Sequence, residues 1–189
     1  MIQDGEKQGF DIKIKSSFRS FEAQLNIWNL KAQGKKSLLD SKGAPLNFDQ
    51  LNPQEVLLAI MRWSAIPGFS RHHWGTDIDV YDAHSIKFED VELTPQEVAP
   101  DGPCGKLHLW LNDYLDESSF FRPYSSFQGG VEEEKWHLSH RHQSQKYYQQ
   151  IDLDFFIQSI EKMPELFLRD LLLEKPEFYL KQYVLNITH

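Results

Sequence analysis

The chain contains a single cysteine, Cys104, among its 189 residues. One thiol forms no intrachain disulfide and cannot supply the several thiolates of a cysteine-rich zinc site. A zinc ion bound within the chain would therefore need histidine and carboxylate ligands. The sequence also has no G-x-S-x-G motif, and no nucleophile motif surrounds Cys104. These absences disfavour serine and cysteine hydrolases, and the missing H-x-E and paired-cysteine segments disfavour zinc nucleobase deaminases.

Long apolar runs and clusters of basic residues are also missing. No stretch approaches the roughly eighteen apolar residues of a membrane span, and the start of the chain lacks the hydrophobic segment of a signal peptide. The net charge is −8, and no block of lysine and arginine is present to neutralise a phosphate backbone. We expect no membrane and no nucleic-acid partner, while a small, locally basic pocket stays open. The sequence as it stands favours the cytoplasm, or the periplasm if a segment precedes it.

Residues 1–189 are predicted to form one domain, without internal repeats or a long linker. Alternating apolar and polar residues predict strands at 11–15, 76–82 and 135–140. Helical spacing of apolar residues predicts helices at 21–33, 53–63 and 107–115, with a shorter one at 95–99. Residues from about 143 to 189 are predicted to form short helices that pack over the domain and contain no catalytic or ligand-binding residues.

The first ten residues, MIQDGEKQGF, predict only the end of a helix, with Gly9 suited to its C-cap. We therefore expect that an N-terminal helix is missing from the chain. In the segment LNPQEV, Asn52 and Glu55 have the spacing of a capping box around Pro53, which predicts the start of the 53–63 helix.

The segment SRHHWGTDIDVYD concentrates potential metal ligands. Adjacent side chains on a strand point to opposite faces, so only one of His72 and His73 is expected to bind a given metal. Asp77 and Asp79 share one face, and Gly75 allows the tight turn that brings a histidine beside them. Zinc without thiolates commonly takes two imidazoles and one carboxylate. The alternative is a polar turn that leads into a strand.

A second segment, VEEEKWHLSH, places His137 on a predicted strand behind several carboxylates. This arrangement suits a second imidazole ligand with acidic groups nearby. A histidine on a half-buried strand is also commonly a packed, hydrogen-bonded structural residue. The residue types alone leave the two interpretations open.

Three segments together resemble the LAS-type zinc peptidases, which include the VanY-like D-alanyl-D-alanine carboxypeptidases. SRHHWGTDID is similar to the family signature S-x-H-x-x-G-x-A-x-D, EKWH to E-x-W-H, and SSFRSFEAQ to S-G-Y-R-S-x-x-x-Q. The three segments occur in the family's order between residues 16 and 140. The resemblance implies an α+β fold in which a small antiparallel sheet, flanked by helices, carries one zinc ion.

The resemblance also implies roles for individual residues. It makes His72, Asp79 and His137 the zinc ligands, and Glu134 the catalytic base that takes a proton from the attacking water and passes it to the leaving amine. A carboxylate bound to zinc is a poor base, whereas one nearby can accept a proton and return it. The alternative for Glu134 is a solvated acid in a run of three glutamates.

Arg19 matches the family's substrate-binding arginine, and Gln24 and Ser70 occupy positions that orient substrate. A guanidinium binds a terminal carboxylate through two parallel hydrogen bonds, which lysine does less well. The alternatives are a surface ion pair between Arg19 and Glu22, and purely local hydrogen bonding by Gln24 and Ser70.

The sequence departs from the family pattern at three places. Asp77 stands where the signature has alanine, either as an acceptor that orients a ligand histidine or as an exposed carboxylate. Ser17 replaces the usual glycine, which leaves the detailed turn near Arg19 open. Residues 35–55 form an insertion rich in turn residues that can shape substrate choice.

The leading function is a zinc-dependent D,D- or L,D-carboxypeptidase that acts on peptidoglycan-type stem peptides with a free C-terminal D-amino acid. One alternative is an endopeptidase of the same fold, which would need an open cleft beyond the carboxylate site. Another is a non-catalytic, zinc-stabilised peptide-binding module. Glu134 argues against the module, because a non-catalytic site has no reason to keep a base beside its ligands.

Overall fold

The computed structural model describes residues 1–188, whose strands form one antiparallel sheet in the order β1-β2-β4-β3. The strands are β1 Ile12–Ser16, β2 Asp77–Asp82, β3 Phe120–Phe121 and β4 His137–His140. In the register between β2 and β4, Asp79 lies opposite His137. The sheet therefore places two of the predicted metal ligands side by side.

Helices surround this sheet. They are α1 Ile2–Lys7, α2 Phe21–Ala32, α3 Pro53–Trp63, α4 Pro95–Val98, α5 Gly105–Tyr114, α6 Arg141–Tyr148, α7 Leu153–Glu161, α8 Arg169–Glu174 and α9 Pro176–Tyr179, followed by a π-helical turn, Leu180–Val184. The mixed architecture with a small antiparallel sheet confirms the predicted fold class. Within residues 1–188, none of the helices has both the length and the apolar character needed to cross a bilayer.

Local signals explain where several elements begin and end. Asn52 accepts a hydrogen bond from the backbone N–H of Glu55, whose carboxylate accepts one from the N–H of Asn52, so the predicted capping box is confirmed. The predicted helix end near the start of the chain is also found: after α1, Gly9 has a φ of +88° and the N–H of Phe10 donates to the carbonyl of Gly5. Strand β3 was not predicted, because two residues are too few to show alternation.

Two apolar clusters hold the elements around the site. One lies between the sheet and α5 and contains Ile12, Val80, Leu107, Leu111, Leu115 and Leu138. The larger one joins α2 and α3 to the C-terminal helices, and Trp28 of α2 lies fully buried within it. The indole Nε1–H of Trp28 donates to the carbonyl of Phe167 at 2.9 Å. The C-terminal region thus fixes α2, and Arg19 lies two residues before this helix.

Candidate metal centre

The two adjacent histidines lie on a 3-10 turn, Arg71–Trp74, and not on a strand. Gly75 follows in the left-handed region with a φ of +67°, and this turn leads the chain into β2. His73 is fully engaged: its Nε2 accepts from the N–H of Gly68, so its Nδ1 carries the proton and donates to the carbonyl of Arg19 at 2.6 Å. Only His72 remains directed at β2.

His72, Asp79 and His137 each direct one potential ligand atom into the same space, with these atoms all within 4.8 Å of one another. His72 Nε2 lies 3.3 Å from Asp79 Oδ2, and His137 Nδ1 lies 3.4 Å from Asp79 Oδ1. All three residues are buried. The structure therefore brings together the three residues that the sequence predicts as metal ligands.

The hydrogen bonds around these residues fit a bound cation. His72 Nδ1 lies 2.8 Å from the carbonyl of Ser17 and donates to it, which leaves the lone pair of Nε2 on the side of Asp79. Asp79 Oδ1 is buried and accepts no hydrogen bond from any residue of 1–188, a costly state for a carboxylate oxygen. Two imidazoles and one carboxylate are a donor set that zinc commonly takes. The residues present fit a zinc ion.

Asp77 is completely buried and accepts three hydrogen bonds. They come from Arg71 Nε at 2.8 Å, from His137 Nε2 at 2.9 Å and from Thr76 Oγ1 at 2.6 Å. The alternative of an exposed Asp77 is therefore wrong. Since Nε2 of His137 is the donor to Asp77, its Nδ1 is the nitrogen that faces Asp79 and that can bind a metal once its proton is lost.

Arg71 compensates the additional acid, and sequence reasoning did not single it out. Besides its ion pair with Asp77, it donates to Ser139 Oγ at 2.6 Å and stacks on Trp74, with the guanidinium carbon 4.7 Å from the ring centroid. Both residues of this ion pair lie in one signature segment, but the contact between them depends on the turn at Gly75. Burial favours neutral Asp77, but the hydrogen bond from His137 and then the charge of Arg71 lower the pKa of Asp77 and keep it ionised.

Three carboxylates, those of Asp77, Asp79 and Glu134, approach the imidazole of His137. Burial opposes the charge on this imidazole, but hydrogen bonds to Asp77 and Glu134 outweigh it and raise the pKa of His137 to about 10. Burial likewise favours neutral Asp79, yet His72 and His137 hold the pKa of Asp79 below its usual value. The cluster thus favours a cation at its centre, which a divalent metal ion also provides.

Glu134 is separated from the other acids of its run. Glu132 pairs with Arg62 and Glu133 with Lys135, whereas Glu134 Oε2 lies 3.4 Å from His137 Nδ1. Its side chain is only 13% exposed, against 42% for Glu133. The interpretation of Glu134 as a solvated acid does not fit this position.

Tyr124 supports Glu134 and was not predicted from the sequence. Its carbonyl accepts a hydrogen bond from the N–H of Glu134 at 2.9 Å, and its ring packs edge-on against His137 with 5.3 Å between centroids. Burial raises the pKa of the Tyr124 phenol, which keeps the hydroxyl protonated. No motif marked this tyrosine, because its contacts depend on the loop between β3 and β4.

Arg19 has only neutral partners. Its Nη1 donates to Gln24 Oε1 at 2.9 Å and its Nη2 to Ser16 Oγ at 3.2 Å. It forms no ion pair with any residue of 1–188, so the alternative pairing with Glu22 is not found. Gln24 is fully buried and also donates to the carbonyl of Ala65 at 2.7 Å, so its contacts are with Arg19 and the protein interior.

These groups share one cleft of about 330 Å³. The predicted residues that line it are Arg19, Ser70, His72, Asp79, Glu134 and His137. Lys36 and Leu39 of the insertion also line the cleft, together with Lys31 of α2. The site therefore combines a metal-binding cluster with nearby cationic side chains.

The family comparison agrees with this geometry. A model of the VanY family, described as D-alanyl-D-alanine carboxypeptidase, matches residues 1–143. The chain belongs to the VanY family. This assignment confirms the resemblance inferred from the three sequence segments, all of which lie within the matched residues.

Two curated relatives come from Haemophilus influenzae and are described only as uncharacterized proteins. One is 42% identical over 64 residues, which cover 34% of this chain and 44% of the relative. The other is 32% identical over 78 residues, which cover 40% of this chain and 60% of the relative. The VanY-family chain thus matches about half the length of each of these relatives.

Solved structures of VanY proteins share the fold. The structure of VanYB in complex with D-alanine-D-alanine has a TM-score of 0.52 and 19% identity, covering 83% of this chain and 76% of VanYB. A variant of the vancomycin-resistance D,D-pentapeptidase VanY in complex with Zn(II) has a TM-score of 0.50 and 20% identity, covering 79% and 72% of the two chains. At such identities the likeness establishes the fold.

Proposed function

We propose that this VanY-family chain is a zinc-dependent carboxypeptidase that removes a terminal D-amino acid from peptidoglycan-type stem peptides. The observation that carries the proposal is the convergence of His72, Asp79, His137 and Glu134 on a cleft that also contains Arg19. Membership of the VanY family supports the reaction class, and the related VanYB was solved with D-alanine-D-alanine bound.

One zinc ion is proposed to bind His72 Nε2, the Asp79 carboxylate and His137 Nδ1. When bound, zinc supplies a Lewis acid for the scissile carbonyl and lowers the pKa of a coordinated water. Asp77 and Arg71 support the site from behind, because their hydrogen bonds fix the tautomer and orientation of His137. The solved VanY D,D-pentapeptidase variant contains Zn(II), which supports the choice of metal.

Glu134 is proposed as the general base and then the general acid. Its carboxylate lies beside the three ligand residues without belonging to their cluster. It can therefore accept a proton from the attacking water and return it to the amine that leaves when the peptide bond breaks. Its placement at the cluster favours a catalytic enzyme over a binding module.

Arg19 is proposed to bind the terminal carboxylate of the peptide. A guanidinium has five N–H donors, and Gln24 and Ser16 take two of them, which leaves donors for a bidentate contact. Gln24 would hold Arg19 in position, and Ser70, on the cleft wall, would orient the substrate. A cation without an acidic partner in the cleft favours a carboxypeptidase over an endopeptidase.

The direct test combines zinc analysis with a mass-spectrometric peptide assay. Wild-type protein and Glu134→Ala are loaded with zinc, checked for metal content, and incubated with muropeptides that end in a D,D or an L,D bond. Loss of one terminal residue by the wild type alone supports the proposal and names the bond. Stoichiometric zinc without cleavage of either substrate would favour the binding module, and cleavage inside the stem peptide would favour the endopeptidase.

A further inference from the structure

Lys31, in the last turn of α2, is a buried cation without an anionic partner. Only 7% of the residue is exposed, and its Nζ donates to the hydroxyl of Ser64 at 2.8 Å. It forms no ion pair with any of the residues 1–188. Buried lysines are rare unless they are paired, because an ammonium group loses its hydration on burial. The free protein alone does not explain this cost.

Lys31 lines the same cleft as Arg19 and Glu134, and the exposed Lys36 lines it as well. Glu92 and Glu134 are also on the cleft wall, yet neither lies within 4.0 Å of the Lys31 ammonium. Among residues 1–188, the cleft therefore contains two cations that form no ion pair, the half-buried Arg19 and the buried Lys31.

We propose that Lys31 binds a second carboxylate of the substrate. The preferred peptide would then carry an anionic group upstream of the scissile bond in addition to its terminal carboxylate. This inference rests on the proposed function, because it takes Arg19 as the site of the terminal carboxylate. It deepens that function by defining the chemical class of peptide that the cleft selects.

The two cations are held at a defined spacing by one loop. Gln24 connects Arg19 to the carbonyl of Ala65, and Lys31 binds the side chain of the preceding residue, Ser64. Both cations thus depend on α2 and on the chain that follows α3. A fixed spacing of this kind favours a substrate whose two carboxylates match it, because little side-chain freedom remains to be lost on binding.

The positions of Arg19 and Lys31 along the chain guide the choice of test peptides. From Phe21 to Lys31, α2 rises about 15 Å at roughly 1.5 Å per residue. Arg19 lies two residues before this helix and Lys31 lies in its last turn, and both side chains line one cleft. An extended peptide spans about 3.3–3.6 Å per residue. The test peptides therefore place the second carboxylate on the third or on the fourth residue from the C-terminus.

The test uses peptides that differ only in one carboxylate. The first pair is acetyl-L-Glu-D-Ala-D-Ala and acetyl-L-Gln-D-Ala-D-Ala, and the second pair inserts L-Ala after the first residue. Binding to zinc-loaded Glu134→Ala is measured by calorimetry, and cleavage by the zinc-loaded wild type by mass spectrometry. A charge-assisted hydrogen bond predicts that the acidic peptide of one pair is preferred at least about tenfold.

Matched variants identify the source of this preference. Lys31→Met should bring the ratio between acidic and amide peptides close to one, whereas Lys31→Arg should keep a preference. Lys35→Met removes the same charge from an exposed lysine that does not line the cleft, and should leave the ratio as in the wild type. Thermal unfolding and zinc content verify that the variants fold, and loss of a buried charge is expected to be tolerated.

The binding and cleavage results distinguish the role of Lys31 from the carboxypeptidase function. Equal handling of acid and amide in both pairs, or a preference that survives Lys31→Met, would overturn it. If no peptide is cleaved but acidic peptides bind better in a Lys31-dependent way, the inference stands and the carboxypeptidase function fails. If both peptides of each pair are cleaved equally well, the function stands and the inference fails.

Discussion

The cleft contains two groups of charged side chains with opposite surroundings. At the metal centre, carboxylates gather around His137, and Arg71 compensates the most deeply buried of them, Asp77. In the same cleft, Arg19 and Lys31 have only neutral side-chain hydrogen-bond partners among residues 1–188. An acidic cluster with imidazoles suits a cation, and cations without acids suit an anion. The same cleft is therefore suited to two ligands of opposite charge, a metal cation and an anionic substrate.

The largest effect is expected when the proposed base beside the metal centre is removed. Glu134→Gln should lower kcat by about a thousandfold, because general acid–base catalysis commonly contributes 10²–10⁴ in rate. Zinc content should stay stoichiometric, since Glu134 is not one of the proposed ligands. Glu133→Gln, which changes the exposed neighbour, serves as the control. Activity that survives Glu134→Gln would show that Glu134 is not the general base.

Removing the proposed carboxylate-binding arginine should lower activity by a smaller factor. Arg19→Met is expected to lower kcat/KM by roughly a hundredfold or more, because two charge-assisted hydrogen bonds to the terminal carboxylate are lost. The kinetics are measured with a free-acid peptide and with its C-terminal amide. The wild type should discriminate strongly between the two and Arg19→Met should not. If both proteins discriminate equally between the acid and the amide, another group binds the terminal carboxylate.

Removing the carboxylate that orients His137 should reduce the affinity for zinc. Asp77→Asn is expected to raise the zinc Kd by about 10–100-fold, the usual cost of losing a carboxylate that orients a ligand histidine. Competition with a chromophoric chelator measures the Kd. The double variant Arg71→Met with Asp77→Ala tests the same position without leaving a buried unpaired arginine. An unchanged Kd in both variants would mean that His137 needs no such support.

The smallest expected effect is a pH dependence of the preference for acidic over amide peptides. Burial, with Lys36 nearby, lowers the pKa of Lys31 to about 8, against the opposing influence of Glu134. Lys31 is therefore charged below this pH and loses its proton above it. The preference for acidic over amide peptides should fall several-fold between about pH 6.5 and about pH 9.5. Lys31→Arg should keep its preference over this range, because guanidinium stays protonated, and an identical pH response of both proteins would contradict the assignment.

Much of the fold could be predicted because its signals are local. Alternation gave the approximate positions of β1, β2 and β4, and the capping box gave the start of α3. The site was also accessible, since three ordered motifs placed His72, Asp79 and His137 in one family pattern, and the structure brings them together. Local sequence sufficed wherever a residue type and its spacing define the chemistry.

The remaining features depend on tertiary packing. Lysine is common in the last turn of an exposed helix, so nothing near Lys31 predicts that it is buried in a cleft. The adjacent histidines were interpreted through strand alternation, whereas their different directions come from a 3-10 turn. Arg71 could not be paired with Asp77 from spacing alone, because the turn at Gly75 brings them together.

Anomalous scattering from crystals of the zinc-loaded protein would show directly which residues bind the metal. The account predicts one zinc ion bound to His72 Nε2, the Asp79 carboxylate and His137 Nδ1, at the roughly 2.0–2.2 Å typical of such ligands. Glu134 and Asp77 should remain outside the coordination shell. Zinc bound at another place, or coordinated by Glu134 or Asp77 instead of these residues, would contradict the account.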